Sequence, residues 1–470
     1  METIERTGET RPQLKRSLGL WMATALVVGN MVGSGIFLLP ASLAGEAGPV
    51  SIFAMLATGV GAMLLAGVFA TLGRAYPRTG GPYAYTRKAF GDFAGFLTAW
   101  GYWIAAWVGN AAIAIAFVGY LGVYWDRVNT SNLTAILVAV GLIWLLTLVN
   151  VLGTRETGWV QLVTTVLKFV PLALIGLIGL AWINSDNLTP FAPESGGDWH
   201  IGAAATLALW AFIGLESATI PAEEVKDPER TIPRATMLGT LITALLYGVA
   251  TFAIMGILAR DTLAASGSPF ADAAGEIWGG DWGKVVALVA MISTLGALNG
   301  WILIQGRIPM AAAEDGLFPR QLAKVHGSRR TPVTALVVSS ALLTALIFMN
   351  YSERGTIVDL FTDIVLLATL TTLVPYAWSA AAQVTLFITD RELFSGVRLF
   401  RDSVIATLAF AYSAWAIWGA GEEVIAKGFM LLTAGIPVYV WMKWQEKREA
   451  PVVTVPDYPP EEAERPLVIH

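Results

Sequence analysis

The chain has 470 residues, of which 55% are hydrophobic and only 14% are charged. Soluble domains carry about 25% charged residues, and here the charges gather in short segments between long apolar runs, as in a protein surrounded by lipid. The absence of cysteine excludes disulfides and thiolate chemistry. The three histidines are far apart and give no metal-ligand spacing. We therefore expect no metal, no cofactor and no nucleic-acid partner.

Twelve segments are long and apolar enough to predict membrane-spanning helices, since a span needs roughly 20 apolar residues. In chain order they are about 18–44, 49–73, 93–122, 133–152, 157–183, 202–222, 236–259, 285–306, 333–350, 364–388, 403–419 and 424–442. A short amphipathic stretch, 83–92, is expected at the membrane interface before the third span.

The basic residues predict how these spans are oriented. With the N-terminus in the cytoplasm, 24 of the 30 lysines and arginines lie in cytoplasmic segments, five lie outside and Lys168 lies within a span. This positive-inside bias places both termini in the cytoplasm. Residues 1–17 are polar and lack the pattern of a secretory signal peptide, and residues 446–470 are expected to form a disordered cytoplasmic tail.

The first span contains Gly33, Ser34 and Gly35 near its middle. Two glycines around a serine let the backbone leave helical geometry at little steric cost, and the freed N–H and C=O groups need partners in hydrocarbon. A ligand carboxylate could accept from these N–H groups and from the Ser34 hydroxyl. The alternative is close helix packing through small residues, which suits Gly29 better than a site does.

Lys168 and Glu216 are the charged residues that lie deep within the predicted spans. Intramembrane ionisable residues are functional candidates, and either could bind and release a proton. The alternative is a buried structural pair, and the sequence does not show whether the two touch.

Most aromatic residues are expected at the membrane interface or facing lipid. Trp210, one turn before Glu216, and Trp301, deep in the eighth span, are candidates for holding a cationic group over an indole face. Tyr102, Asn110 and Tyr376 are polar groups at mid-span depth, for which a site role and helix-to-helix hydrogen bonding are equally open.

Span six carries WAFIGLES where span one carries GSGIF, which suggests an internal repeat. A repeat unit of five spans would invert the second copy relative to the first, and inverted repeats with interrupted helices are typical of transporters. The sequence shows no selectivity filter of the kind that a channel needs. It also shows no cluster of catalytic groups, so we expect no enzymatic activity.

Six stretches resemble the amino acid/polyamine/organocation transporters over nearly all of residues 18–445. They are GNMVGSGIFLLPASLA, GGPYAYTRKAFG, YWIAAWVGN, LWAFIGLESA, AAEDGLFP and TLVPYAW. The match is nearest to bacterial arginine/agmatine-type antiporters. It implies an all-α membrane protein of twelve transmembrane helices, with a LeuT-like 5+5 inverted repeat (about 18–183 and 202–388) and two extra helices. Helices one and six would be broken.

The resemblance also implies roles for individual residues. Ser34 and Gly35 would bind the substrate carboxylate, the backbone near Ala211 and Ile213 its amino group, and Trp301 its side chain, with Asn110 nearby. Trp210 would close over the substrate, while Tyr102, Glu216 and Tyr376 would form the outer gate. Glu216 would also take part in proton coupling.

Three positions depart from the arginine/agmatine pattern: Lys168, Ala368 and Ile113. A lysine at position 168 resembles the proton-coupled and L-type carriers of the same superfamily, in which its ammonium replaces a sodium ion between spans one, five and eight. We therefore expect an inner-membrane antiporter or permease for a basic amino acid, such as arginine exchanged for agmatine, with the lipid bilayer and protons as further partners and a homodimer as its assembly. The alternative is a neutral amino acid carrier that uses Lys168.

Overall fold

The computed structural model describes residues 18–33, 35–77, 80–152, 158–191, 201–220, 222, 225–325, 331–352, 356–393 and 397–449. Regular structure in these ranges is helical, apart from one isolated parallel bridge between Leu18 and Val225. The α-helices are α1 Leu20–Met31, α2 Gly35–Glu46, α3 Ser51–Ala75, α4 Pro82–Phe90, α5 Asp92–Leu121, α6 Arg127–Thr130, α7 Asn132–Leu152, α8 Gly158–Gly179, α9 Ile201–Trp210, α10 Pro228–Ile257, α11 Arg260–Ala264, α12 Pro269–Trp278, α13 Trp282–Glu314, α14 Val333–Ser352, α15 Ile357–Thr389, α16 Val397–Gly419, α17 Glu422–Thr433 and α18 Ile436–Glu449.

Each of the twelve predicted segments carries an α-helix, but fewer qualify as spans by length and apolar character. In the described part of the chain eight do, or nine if the bent pair α1 and α2 counts as one span. The other three segments hold α8, α9 and α16. Much of α8 lies outside the searched residues, α9 ends after ten residues, and α16 begins with charged residues. The structure thus supports an all-helical membrane protein and leaves the number twelve as a proposal.

Several helices begin or end outside the predicted limits. Helix α15 begins at Ile357 rather than 364, because Thr356 and Asp359 form a reciprocal capping box, in which each side chain accepts from the other's backbone N–H. Helix α10 begins at Pro228 rather than 236, where proline suits the first helical position. Hydropathy detects only the apolar part of a helix, so these polar ends were missed. Helix α18 likewise continues to Glu449, past the predicted start of the tail.

Helix α5 lies at the centre of the bundle. Its most apolar window is 89% buried inside the protein, against 33% for α14 and 11% for the span formed by α17 and α18. Helices α13 and α15 pack along α5, and α3 packs against α10. The residues of α5 that follow Tyr102 are therefore screened from lipid and available to line an internal site.

The amphipathic stretch before the third span forms α4, as predicted. Gly91, with φ +81°, separates α4 from α5 in a conformation that glycine adopts without strain. Arg87 of α4 pairs with Asp315 just beyond α13 at 2.9 Å, and Lys88 pairs with Asp390 just beyond α15 at 3.0 Å. Helix α4 thus connects the ends of two long helices by ion pairs.

Candidate functional site

The first span is interrupted at the predicted place. Helix α1 ends at Met31, α2 begins at Gly35, and their axes are bent by 41°. Ser34 lies outside the described residues. Tyr247 of α10 donates a hydrogen bond to the Met31 carbonyl oxygen at 2.7 Å. That bond supplies a partner to a helix-end carbonyl, as a buried backbone group requires.

The sixth predicted segment is also interrupted. Helix α9 ends at Trp210, residues 211–216 form turns, and Ser217–Thr219 form a short 3₁₀ helix. Gly214 has φ +110°, and a Cβ there would lie 3.1 Å from the Asn30 carbonyl carbon. Both observations require glycine at this position.

The two interruptions lie side by side. Asn30 Nδ2, near the end of α1, donates to Ser217 Oγ at 2.8 Å. In the described part of the chain, no donor reaches the carbonyl oxygens of Ala211 and Ile213. The turn at 211–216 therefore leaves backbone acceptors available beside the break of the first span.

A narrow cavity of about 10 Å³, the space of about one water molecule, lies beside these interruptions. Its lining comes from α5, the α9 turn, α13 and α15, and consists of Tyr102, Ala105, Ala106, Gly109, Ile113, Trp210, Ile213, Trp301 and Thr372. The lining is apolar and aromatic, as in most small-molecule sites. The structure thus brings Trp210, Ile213 and Trp301 to one cavity.

Trp210 lies between two glycines. A Cβ on Gly35 would come within 2.9 Å of Trp210 Cδ1, and a Cβ on Gly109 would overlap the far edge of the same ring. The indole Nε1 is buried and has no hydrogen-bond partner in the described part of the chain. The ring therefore fills the space between α2 and α5 and contributes an unpaired donor.

Glu216 bonds to both of the other residues expected at the outer gate, Tyr102 and Tyr376. It is fully buried and accepts hydrogen bonds from the Tyr102 hydroxyl and, at 2.5 Å, from the Tyr376 hydroxyl. The Gly214 backbone N–H also donates to it at 3.2 Å. These bonds connect α5 and α15 to the turn after α9 through one carboxyl group.

Lys168 lies apart from this cluster. Its side chain is 2% exposed, and its Nζ is 3.5 Å from the Gly29 carbonyl oxygen of α1. The same nitrogen would be 3.9 Å from a Cβ on Gly296 of α13. Lys168 and Glu216 therefore have different partners, and Lys168 lies where α1, α8 and α13 meet.

Asn110 is fully buried but does not line the cavity. Its Nδ2 donates to Gln305 Oε1 of α13 at 2.8 Å. Gln305, Asn30, Ser217 and Tyr247 were not among the predicted residues. Asn30 and Gln305 follow Gly29 and Trp301 within one helical turn, so a search for every polar side chain at mid-span depth would have found them.

Comparison with known proteins gives relatives of similar length. A protein of Bacillus subtilis (strain 168) named "Putative arginine/ornithine antiporter" is 34% identical over 467 residues, covering 92% of this chain and 98% of its own. The cadaverine/lysine antiporter of Escherichia coli (strain K12) is 34% identical over 428 residues, with 88% and 93% covered. The arginine/ornithine antiporter of Pseudomonas aeruginosa is 32% identical over 443 residues, with 91% of each chain covered.

A model of the amino acid permease family matches residues 18–435. This range contains the six stretches that resemble amino acid/polyamine/organocation transporters, and it covers every residue of the cavity. The match confirms that resemblance, and the chain belongs to the amino acid permease family.

Proposed function

We propose that the protein is an antiporter of the inner membrane that exchanges a basic amino acid for an amine or another amino acid. The observation that carries this proposal is the aromatic cavity beside two interrupted helices, in which Trp210 and Trp301 are the largest lining groups. An indole face attracts a cationic group by about 2 kcal/mol or more once water is removed. The family relatives named for arginine/ornithine and cadaverine/lysine exchange support a cationic substrate.

Both ends of an amino acid find partners in the proposed mode of binding. The carboxylate accepts hydrogen bonds at the start of α2, from Ser34 and the backbone at Gly35. The ammonium group donates to the unpaired carbonyl oxygens of Ala211 and Ile213. The side chain lies against Trp301, with Asn110 behind the wall that Gly109 and Ile113 form.

We propose that Trp210 closes over the bound substrate and that the hydrogen bonds of Glu216 to Tyr102 and Tyr376 hold the outer gate shut. Protonation of Glu216 would replace one accepted bond by a donated one and loosen this cluster. Opening then requires α5 and α15 to separate from the turn after α9, which is a rocking movement of the kind that alternating access uses.

Exchange in proteoliposomes tests the function. Vesicles preloaded with arginine, lysine, ornithine, agmatine, cadaverine or leucine receive labelled arginine outside. We expect uptake only when a basic amino acid or an amine is inside. Uptake supported by leucine alone contradicts the proposal.

A second candidate function is supported by Lys168. A buried ammonium 3.5 Å from the Gly29 carbonyl adds a fixed positive charge near the first break, and such a charge disfavours a dicationic substrate. On this hypothesis the protein carries neutral amino acids, with coupling to protons through Lys168. The same exchange assay, with labelled leucine outside, decides between the two functions. Leucine inside the vesicles would then stimulate uptake of labelled leucine, and arginine inside would not.

We further propose twelve spans with both termini in the cytoplasm, arranged as five-span inverted repeats over about 18–183 and 202–388 and followed by two helices. The transporter domain would then be 18–445, between the polar segments 1–17 and 446–470. Because the chain has no cysteine, single cysteines can be introduced and labelled without background. A cysteine at Ser185 should react from outside and one at Arg391 from inside. Labelling of both from one side contradicts this topology.

A homodimer is proposed from the resemblance alone. Crosslinking of purified protein in lipid nanodiscs, at a fixed protein-to-lipid ratio, should give one band of twice the monomer mass. A band at the monomer mass alone contradicts a dimer.

A further inference from the structure

Four buried polar side chains form a continuous chain behind the cavity wall. Asn110 Nδ2 bonds Gln305 Oε1 at 2.8 Å, Gln305 Nε2 bonds Ser340 Oγ at 3.0 Å, and Ser340 Oγ lies 2.7 Å from Thr147 Oγ1. All four are at most 2% exposed, and they belong to α5, α13, α14 and α7. We call this set the polar chain.

The far end of the polar chain sets the direction of its hydrogen bonds. Thr147 Oγ1 donates to the Ile143 carbonyl oxygen at 2.7 Å, and a hydroxyl has one proton to donate. Ser340 must therefore donate to Thr147, which leaves Ser340 Oγ to accept from Gln305 Nε2. Gln305 Oε1 then faces Asn110, whose Nδ2 is the donor.

The opposite direction is less favourable. Turning the Asn110 amide alone would place its oxygen 2.8 Å from Gln305 Oε1, an acceptor against an acceptor. Turning both amides would require Thr147 to donate to Ser340, and the bond to the Ile143 carbonyl would be lost. The polar chain therefore fixes Asn110 with its amide nitrogen bonded and its oxygen pointing elsewhere.

Asn110 Oδ1 is the atom that remains. It is buried and has no hydrogen-bond partner among the residues that the structure describes. Leaving a buried acceptor without a donor is costly, and such an atom in a native structure calls for an explanation. Its neighbours in α5, Gly109 and Ile113, line the cavity, and Gln305 follows the lining residue Trp301 by one helical turn. The cavity has to widen to admit a substrate, and a donor on a ligand beside Trp301 would then reach this oxygen.

We propose that Gln305 and Ser340 are positioning residues that hold Asn110 as a hydrogen-bond acceptor, so that the site selects substrates whose side chain ends in an N–H donor. This inference rests on the proposed exchange of basic amino acids. A polar chain that only joined helices would affect every substrate equally. A positioning role affects the donor-ended substrate selectively.

The test compares two competitors that differ at one end, lysine and norleucine, which has the same carbon chain without the ammonium group. Each competes with labelled arginine for exchange in proteoliposomes, and the half-inhibitory concentrations are measured for the wild type, Ser340→Ala and Gln305→Leu. A hydrogen bond to a charged group corresponds to about a tenfold change in affinity or more. We expect the lysine value to rise by about that factor in both variants, while the norleucine value changes less than about twofold.

Ser339→Ala is the matched control. Ser339 is the neighbouring residue on α14 and is also buried, but it accepts from Trp103 Nε1 at 2.8 Å, and its single proton is shared between the carbonyl oxygens of Ala335 at 2.8 Å and Gln305 at 3.1 Å. Its removal leaves the polar chain intact, so the ratio of lysine to norleucine should stay at the wild-type value. Ser340→Thr keeps the hydroxyl and should restore that ratio. If Gln305→Leu does not fold, Ser340→Ala, which removes only one oxygen atom, decides alone.

The two possible failures are distinguishable. If the wild type binds lysine no better than norleucine, the proposed function fails and the inference fails with it. If the wild type prefers lysine but Ser340→Ala weakens both competitors equally or neither, the positioning role alone is overturned.

Discussion

Replacing Gly35 by alanine tests whether the start of α2 and the Trp210 ring are in contact. The new Cβ would lie 2.9 Å from Trp210 Cδ1 and 3.2 Å from the Ala211 Cα. The ring cannot move toward α5, because its far edge already contacts Gly109, which has no room for a Cβ. The methyl group therefore has to push α2 away from the turn that follows α9.

Overpacking by one methyl group costs about 1–3 kcal/mol, which a better helix propensity of alanine offsets by at most about 1 kcal/mol. We take a net cost of about 1.4 kcal/mol, which is a tenfold change in an equilibrium constant. If the substrate binds beneath the closed Trp210 ring, the affinity for lysine in the competition assay should fall by about that factor.

Gly33→Ala is the control within the same interruption. A Cβ on Gly33 would lie 3.5 Å from the Ala297 Cβ, which is an ordinary contact, so its lysine affinity should stay within about twofold of wild type. Removing the ring provides a second comparison, because Gly35→Ala should cost less in a Trp210→Ala background. Equal losses in Gly33→Ala and Gly35→Ala, or a cost that does not depend on the ring, would refute the contact.

Three further predictions concern single side chains. Trp301→Leu should weaken lysine binding about 30-fold, the equivalent of about 2 kcal/mol, and norleucine binding much less; equal losses would remove the stacking role. Lys168→Ala should flatten the dependence of exchange rate on pH, whereas an unchanged profile would make Lys168 structural. The pKa of Asp390 lies below its usual value because Tyr76 donates a hydrogen bond to it and Lys88 pairs with it. A lowered pKa stabilises the folded state in full above about pH 4, and this contribution is lost as the pH falls further through the folded-state pKa. The difference in melting temperature between wild type and Asp390→Asn should therefore shrink as the pH falls below about 4, and a difference that does not shrink in that range contradicts this assignment.

The sequence predicted the places where helices are interrupted better than the contacts between them. Gly33 and Gly35 give a local signal, since their effect on the backbone depends on neighbouring residues alone. The bond between Asn30 and Ser217 joins residues 187 positions apart, and that between Asn110 and Gln305 joins residues 195 apart. No periodicity reports such pairs. Tyr102 and Tyr376 were placed with Glu216 through the family motifs, because their own sequence context marks them only as polar groups in apolar helices.

Helix limits were missed for a different physical reason. Apolar composition measures what lipid or the core covers, whereas a helix ends where its backbone finds other partners. At Thr356 the capping box begins α15 seven residues before the predicted limit, in sequence that hydropathy reads as loop. The cap is visible in the sequence as Thr-x-x-Asp, so helix starts in membrane proteins can be predicted by combining both signals.

The end of α1 lies between Lys168 and Glu216. Its backbone contacts Lys168, and its Asn30 side chain contacts the residue next to Glu216. Lys168 reaches the Gly29 carbonyl oxygen, and the next residue, Asn30, donates to Ser217, which follows Glu216 in the chain. The Gly214 backbone, which donates to Glu216, also packs against Asn30 closely enough to exclude a Cβ. A displacement of this helix end therefore changes the surroundings of Lys168 and of Glu216 together, because Gly29 and Asn30, which make the two contacts, are adjacent in the chain. Lys168 and Glu216 share no direct bond, and the position of α1 therefore couples the surroundings of the two.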